Sequence, residues 1–160
     1  MEKQFIEIIN THQGLIGKIC RMYTRSAADA EDLYQEIILQ LWKSFPRFQQ
    51  ASSVSTWMYR VALNTAISGF RRQSRSLLQQ ELKPEVAGLP ATDASRLEVQ
   101  YGRQLQAAIQ SLNKFDRSLM LLYLEEKTYQ EMAEILGIAV SNVGVKINRI
   151  KKQLKNILNA

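Results

Sequence analysis

The sequence predicts an all-α protein made of two small helical bundles joined by a flexible linker. Three observations carry this prediction. Apolar residues recur at spacings of three and four through most of the chain, the period of one helix face. No strand-type alternation lasts more than a few residues. The three prolines, Pro46, Pro84 and Pro90, all fall outside the periodic stretches. Two of them, with Gly88, lie in an aperiodic polar run from Gln73 to Ser95 that reads as a linker. The boundaries that follow are residues 1–72 for the first unit, 73–95 for the linker and 96–160 for the second unit.

The elements follow in order. Phe5, Ile8, Ile9, His12, Leu15, Ile16, Ile19 and Tyr23 mark one face of a first amphipathic helix. His12 and Cys20 fall on or beside this stripe and read as packed residues, since neither has a partner for ligand or nucleophile work. Leu33, Ile37, Leu41 and Phe45 repeat the pattern from Asp29, and Pro46 stops it. A third helix runs from about Ser55 to Arg72, with Ser53 or Ser55 placed to cap it. Leu97, Tyr101, Leu105, Ala108 and Leu112 open the second bundle, and Asp116 is placed to cap a helix from Arg117 to about Glu125. Thr128 to Leu136 forms a short helix that breaks at Gly137. The last helix runs from about Ser141 to Leu158 on the stripe Val143, Ile147, Ile150, Leu154 and Ile157.

Composition narrows the function classes. The 160 residues are 46% hydrophobic, which suits a globular fold and not a disordered chain. A single cysteine excludes an internal disulfide, and a single histidine with no CxxC pair argues against a zinc site. The N-terminal MEKQFIEIIN is charged from its second residue, so no secretory signal is expected. The longest apolar run, Leu119 to Leu124, is far short of the roughly 20 residues that span a bilayer. A cytoplasmic protein without membrane insertion is expected. There is no Gly-rich phosphate loop, no Ser/His/Asp set and no carboxylate cluster of metal-ligand type. Neither enzymatic activity nor a cofactor or metal is therefore expected.

The charge is unevenly distributed. Lys plus Arg number 21 against 15 Asp plus Glu, for a net +6. Residues 60–75 contain Arg60, Arg71, Arg72 and Arg75 with no acid. Residues 141–160 contain Lys146, Arg149, Lys151, Lys152 and Lys155, again with no acid. The remainder is therefore mildly acidic, with two basic segments set into it.

Three surfaces stand out. Thr128 to Leu154 has the pattern of a helix-turn-helix: a short helix with Met132, Ala133 and Leu136 inward, a glycine turn, then a striped helix. Gly137 suits a left-handed turn, where a Cβ would clash. Opposite the core stripe lie Ser141, Asn142, Val145, Arg149 and Lys152, with Lys146 at the edge. Asn and Arg can read base edges, Val can touch a thymine methyl, and lysines find phosphates. A plain αα-hairpin with a basic solvent face is the simpler alternative. The second surface is Arg60, Asn64, Ser68, Arg71 and Arg75, on one face of the third helix beside Trp57 and Tyr59. Arginines next to aromatic rings suit single-stranded nucleic acid, though both rings could equally be core. The third is Asp32, Gln35, Glu36, Leu39 and Lys43, where an apolar residue among acids suggests a partner surface.

These residues carry a resemblance. DAEDLYQEIILQLWKSFPRF followed by STWMYRVALNTAISGFRR resembles the second domain of bacterial RNA polymerase sigma factors of the extracytoplasmic-function type. LNKFDRSLMLLYLEEKTYQEMAEILGIAVSNVGVKINRIKKQLK resembles their fourth domain, and the two blocks stand in the family's order. The resemblance implies that Asp29, Asp32, Gln35, Glu36 and Leu39 dock on the clamp of core RNA polymerase. It implies minus-ten promoter contacts from the loop Gln49 to Ser55, Ser53 included, and from Trp57, Arg60, Asn64, Ser68, Arg71, Arg72 and Arg75. Capture of an unpaired base there would help open the duplex. Ser141, Asn142, Val145, Lys146, Arg149 and Lys152 would read the minus-thirty-five element. An anti-sigma factor is an implied partner besides polymerase and promoter DNA.

The chain departs from the family pattern at several positions. Ser68 stands where many members have Asp, and Gly69 follows it. Asn113 replaces a common Pro, Ala139 a common capping Ser, and Gly144 a common Lys. Three functions compete at this point: a sigma factor, a stand-alone helix-turn-helix transcriptional regulator, and a protein-binding adaptor with no DNA role. Only the first uses all three surfaces.

Overall fold

A computed structural model describes residues 1–48, 52–68 and 96–159, with side chains placed from residue 102 onward in the last segment. Among the described residues every regular element is helical. The chain divides into two compact units, Met1–Val86 and Ala87–Ala160.

The first unit contains α1 (Glu2–Thr11), α2 (Gln13–Tyr23), α3 (Ala27–Ser44) and α4 (Val54–Ile67). The single first helix expected from the apolar stripe is in fact two. His12 leaves helical geometry at φ −113°, ψ 22°, its N–H bonds to the carbonyls of Ile8 and Ile9, and its ring Nδ1 sits 2.9 Å from the Ile8 oxygen. Ring and backbone of one residue thus engage the Ile8 and Ile9 carbonyls, and the helix ends there. The stripe splits accordingly. Ile16, Ile19 and Cys20 are buried within the bundle of α2, α3 and α4, while Phe5 of α1 is buried among aromatic rings. Its ring meets Trp42 at 5.0 Å and Phe45 at 5.4 Å, and Phe45 in turn meets Trp57.

Helix α3 forms as expected. Ser26 caps it by accepting the Asp29 N–H at 3.1 Å, and Leu33, Ile37 and Leu41 are completely or almost completely buried. A 3₁₀ turn, Phe45–Arg47, carries Pro46 and ends the helical run. Ser53, rather than Ser55, caps α4 by accepting the Thr56 N–H at 3.1 Å. The helix expected to run to Arg72 ends at Ile67, where Ser68 is its C-cap and donates its backbone N–H to the Asn64 carbonyl. Arg71, Arg72, Arg75 and the stretch 73–95 lie outside the described residues.

The second unit contains α5 (Arg96–Gln110), α6 (Lys114–Leu124), α7 (Tyr129–Leu136) and α8 (Val140–Leu158). Asp116 is not the cap of α6. Asn113 is, its Oδ1 accepting the Asp116 N–H at 2.8 Å, so the helix starts three residues earlier than expected. The side chain of Asp116 falls instead in the first turn, where an acid suits the helix dipole. A capping box closes the start of α7: Thr128 Oγ1 accepts the Glu131 N–H, and the Glu131 carboxylate accepts the Thr128 N–H, each at 3.0 Å. Those hydrogen bonds hold the Glu131 carboxyl below its ordinary pKa. Gly137 ends α7 at φ 71°, in the left-handed region expected of it. Helix α8 starts at Val140, one residue before the expected Ser141. Ala139 is its N-cap and offers no side-chain hydrogen bond. Val143, Ile147, Ile150 and Leu154 are buried, but Ile157 is exposed. The stripe loses its packing partners in the last turn of this 19-residue helix.

Two predictions follow from caps and core. Replacing Asn113 by Ala should destabilise the second unit by about 1 kcal/mol, and Ala139→Ser should stabilise it by a comparable amount. Urea unfolding followed by circular dichroism reads both. Equal midpoints for all three chains would contradict these cap assignments. Cys20 yields the other prediction. It is 3% exposed, and burial pushes its thiol pKa up to about 12, with Arg21 opposing. Burial, with the neighbouring Cys20, also raises the Tyr34 hydroxyl. The unfolded thiol loses its proton near pH 9, so Cys20 favours the fold below that pH and the contribution is lost as pH rises towards 12. Stability measured from pH 8 upward should fall less steeply for Cys20→Ser than for the unaltered chain.

Candidate nucleic-acid interface

The second unit presents a helix-turn-helix. Met132 and Ala133 of α7 are buried against α8, and Gly137 turns the chain between them. Because the stripe of α8 points inward, the residues on the opposite arc must face solvent. Ser141, Asn142, Val145, Arg149 and Lys152 are all exposed, as the periodicity predicts. Val145 is 66% exposed, a level that no core role explains. Lys146 differs: it is half-buried, with Nζ 5.5 Å from the centre of the Phe115 ring on α6. A cation over an aromatic face is held at the rim of the helix instead of ranging freely.

The flank of α8 on the other side of this face was not legible in the sequence. Lys151 is exposed, and its Nζ sits 4.3 Å from the centre of the Tyr123 ring. A hydrogen bond with Tyr123 raises its pKa, and the neighbouring Tyr129 adds to the shift. Tyr129 stands at the start of α7 and is 37% exposed. Its ring edge lies over Gly144: two ring carbons are 3.6 and 3.8 Å from where a Cβ on that glycine would be. One signal was available beforehand, a glycine inside a helix with no turn to justify it.

In the first unit, α4 brings Arg60, Asn64 and Ser68 to one exposed face at four-residue spacing. Trp57 and Tyr59 do not join them. Trp57 is 7% exposed and stacks on Phe48 at 4.6 Å, and Tyr59 is 5% exposed. Both rings are core in this structure, the second of the two readings their sequence positions allowed. Ser53 is exposed, but its hydroxyl is engaged in the cap and donates to Thr56 Oγ1 at 2.9 Å.

Helix α3 carries the acidic surface. Gln35 and Leu39 are exposed, and Asp32 and Glu36 are half-buried. Glu36 is held by Gln40, whose Nε2 donates to Oε1 at 3.0 Å. Asp29 is half-buried, with Oδ1 enclosed and lacking a hydrogen-bond partner. Leu39 has company that the sequence reading missed. Trp42, one turn on, is 42% exposed against 43% for Leu39. The exposed apolar feature is therefore a Leu–Trp pair bordered by acids, not a lone leucine.

Among the described residues no group of three His, Cys, Asp or Glu side chains could hold a metal, and no helix is long and apolar enough to cross a membrane.

Comparison with known proteins agrees with the two-unit organisation. Residues 8–76 match the model of Sigma-70 region 2, and residues 102–154 match that of Sigma-70 region 4. The extracytoplasmic-function (ECF) RNA polymerase sigma factor SigE of Mycolicibacterium smegmatis is 26% identical over 157 residues, spanning 95% of this chain. The chain spans 60% of that relative's length. ECF sigma factor SigW of Bacillus subtilis is 27% identical over 172 residues, covering 96% of this chain and 90% of its own. Among solved structures, the fold is similar to that of the sigma factor RpoE from Bartonella quintana, crystallised with the anti-sigma factor NepR. The TM-score is 0.73 at 19% identity, with 99% of this chain and 98% of that one covered.

Proposed function

The chain belongs to the sigma-70 family of bacterial RNA polymerase sigma factors, and we propose that its three exposed surfaces divide the work of an ECF member among them. In this reading the protein binds core RNA polymerase in the cytoplasm and directs initiation at particular promoters, without chemistry of its own. The Asp32–Leu39 face of α3, extended by Trp42, docks on polymerase. Arg60, Asn64 and Ser68 of α4 meet the melted minus-ten strand, continued in sequence by Arg71, Arg72 and Arg75. Ser141, Asn142, Val145, Arg149 and Lys152 of α8 read the minus-thirty-five duplex, with Lys146 at the rim.

The observation that carries this reading is the exposure of Val145 amid polar and basic residues on the outer face of α8, directly opposite the buried stripe. An apolar side chain held in water is accounted for when it meets a thymine methyl in the major groove. The Leu39–Trp42 pair supports the polymerase contact in the same way, since buried aromatic and aliphatic anchors dominate protein interfaces. A stand-alone regulator would leave that pair, and the family match over residues 8–76, without a role. An anti-sigma factor, such as the one crystallised with the RpoE relative, would compete for these surfaces.

The division of labour is testable with two variants. Leu39→Arg should weaken binding to core polymerase about tenfold or more. Val145→Arg should leave core binding within about twofold and change which duplexes the holoenzyme selects, since base contacts carry sequence preference. Fluorescence anisotropy of labelled protein titrated with core polymerase measures the first effect. Selection from a random-sequence duplex pool measures the second. Equal loss of core binding in both variants would refute the assignment.

A further inference from the structure

Trp42 stands in the last turn of α3 with 42% of its surface in water, one turn on from Leu39. An indole at such a position has several staggered orientations open to it, and only some of them present it to a partner together with Leu39. A contact from α1 limits the choice. The Phe5 ring meets the indole in a T-shaped arrangement, with centroids 5.0 Å apart and planes at 66°. Phe5 is itself seated: it is 6% exposed and packs on Phe45 at 5.4 Å, and Phe45 packs on Trp57 of α4 at 6.0 Å. The outward indole is thus the end of a series of rings that begins in the core of the first unit. The dependence also runs the other way. Within α1, Phe5 is the buried residue, Ile8 and Ile9 are half-buried, and Ile6 is 49% exposed. A helix of ten residues is marginal in water by itself, so α1 needs the packing that Phe5 finds on these rings. The break at His12 separates α1 from α2, and Phe5 reaches the end of α3.

We propose that Phe5 is a positioning residue for polymerase docking: its ring fixes the Trp42 indole in the orientation that polymerase meets, so α1 sets core affinity without making the contact. The inference rests on the reading of the Asp32–Leu39 face, extended by Trp42, as the polymerase surface. Aromatic anchors dominate protein interfaces, and a side chain already held in its bound orientation loses less freedom when the partner arrives. Phe5 has almost no surface left to offer a partner, which separates its role from those of Leu39 and Trp42. A T-shaped ring pair is also directional, whereas an aliphatic side chain in the same seat would bury apolar area without setting the angle of the indole.

The test is a double-mutant cycle on the full-length protein, titrated with core polymerase. Trp42→Ala should weaken core binding about tenfold. Phe5→Ala should weaken it about twofold to tenfold, the range that an aromatic pair accounts for. In a Trp42→Ala background, Phe5→Ala should add less than about twofold, because the indole through which it acts is gone. Equal losses in the two backgrounds would overturn the inference, since Phe5 would then act through the bundle and not through Trp42. If Phe5→Ala lowers the helix content seen by circular dichroism, the same cycle is run with Phe5→Leu, which keeps apolar bulk in the seat and removes the ring. A second readout needs no polymerase. The chain has two tryptophans, so in a Trp57→Phe background the indole fluorescence is that of Trp42. Phe5→Leu should make that fluorescence easier to quench with acrylamide, and unchanged quenching would show that the ring does not hold the indole. Leu39→Arg separates the two layers of the reading. If it weakens core binding while Trp42→Ala and Phe5→Ala do not, the docking face stands and the positioning role is refuted. If Leu39→Arg binds core as the unaltered chain does, the docking assignment fails and the inference falls with it.

Discussion

Burial of one stripe of α8 governs the geometry of the second unit. Val143, Ile147, Ile150 and Leu154 can leave water together only if the helix is turned with that arc against α5, α6 and α7. Each buried aliphatic side chain contributes about 1.5–3 kcal/mol, so the rotation of the helix is fixed by several such terms at once. Once it is fixed, the 100° step leaves no freedom in what faces outward. Asn142, Val145, Arg149 and Lys152 must present to solvent. This outer face is thus a consequence of the core and needs no interactions of its own to be held in place.

The same logic divides the first unit. The α2–α3–α4 core takes Ile16, Ile19, Leu33, Ile37, Leu41, Met58 and Leu63, and this turns Leu39 outward on α3 and Arg60 and Asn64 outward on α4. Opposite chemistries therefore come to the surface of one small bundle, acids with an apolar pair on α3 and arginine with polar groups on α4. A net charge of +6 describes neither. Under the proposed function, separating the charges by helix lets one bundle face a protein and a nucleic acid without the two surfaces interfering. In the proposed reading, polymerase docking and promoter contact fall to different helices, not shared along one.

Periodicity made most of the helices legible, because a 3.6-residue repeat survives in a single sequence whatever it packs against. The α8 stripe from Val143 to Leu154, its outer face and the Gly137 turn stand as the spacing implies, and only Ile157 of the stripe does not. What the spacing could not show is competition among local hydrogen bonds. His12 interrupts a stripe whose apolar spacing continues through it, because its ring and its backbone N–H both take the Ile8 carbonyl. Asn113 captures the cap expected of Asp116, since a side chain immediately before the first turn reaches the third amide. Aromatic roles were the least legible. Trp57 sits among arginines in sequence but stacks on Phe48 in space, whereas Trp42, unremarked in the pattern, is half in water. The Tyr129–Gly144 and Lys151–Tyr123 pairings join separate helices, so no single-helix projection contains them.

The central claim is that these surfaces together give polymerase a choice of starting point. It is tested most directly by mapping RNA 5′ ends made in vitro on fragmented genomic DNA by core RNA polymerase, with and without this protein. The account predicts a discrete set of new starts, each preceded at a constant distance by the same two short sequence elements, one for each DNA-facing helix. An unchanged distribution of 5′ ends, or new starts with no shared upstream elements, would contradict it.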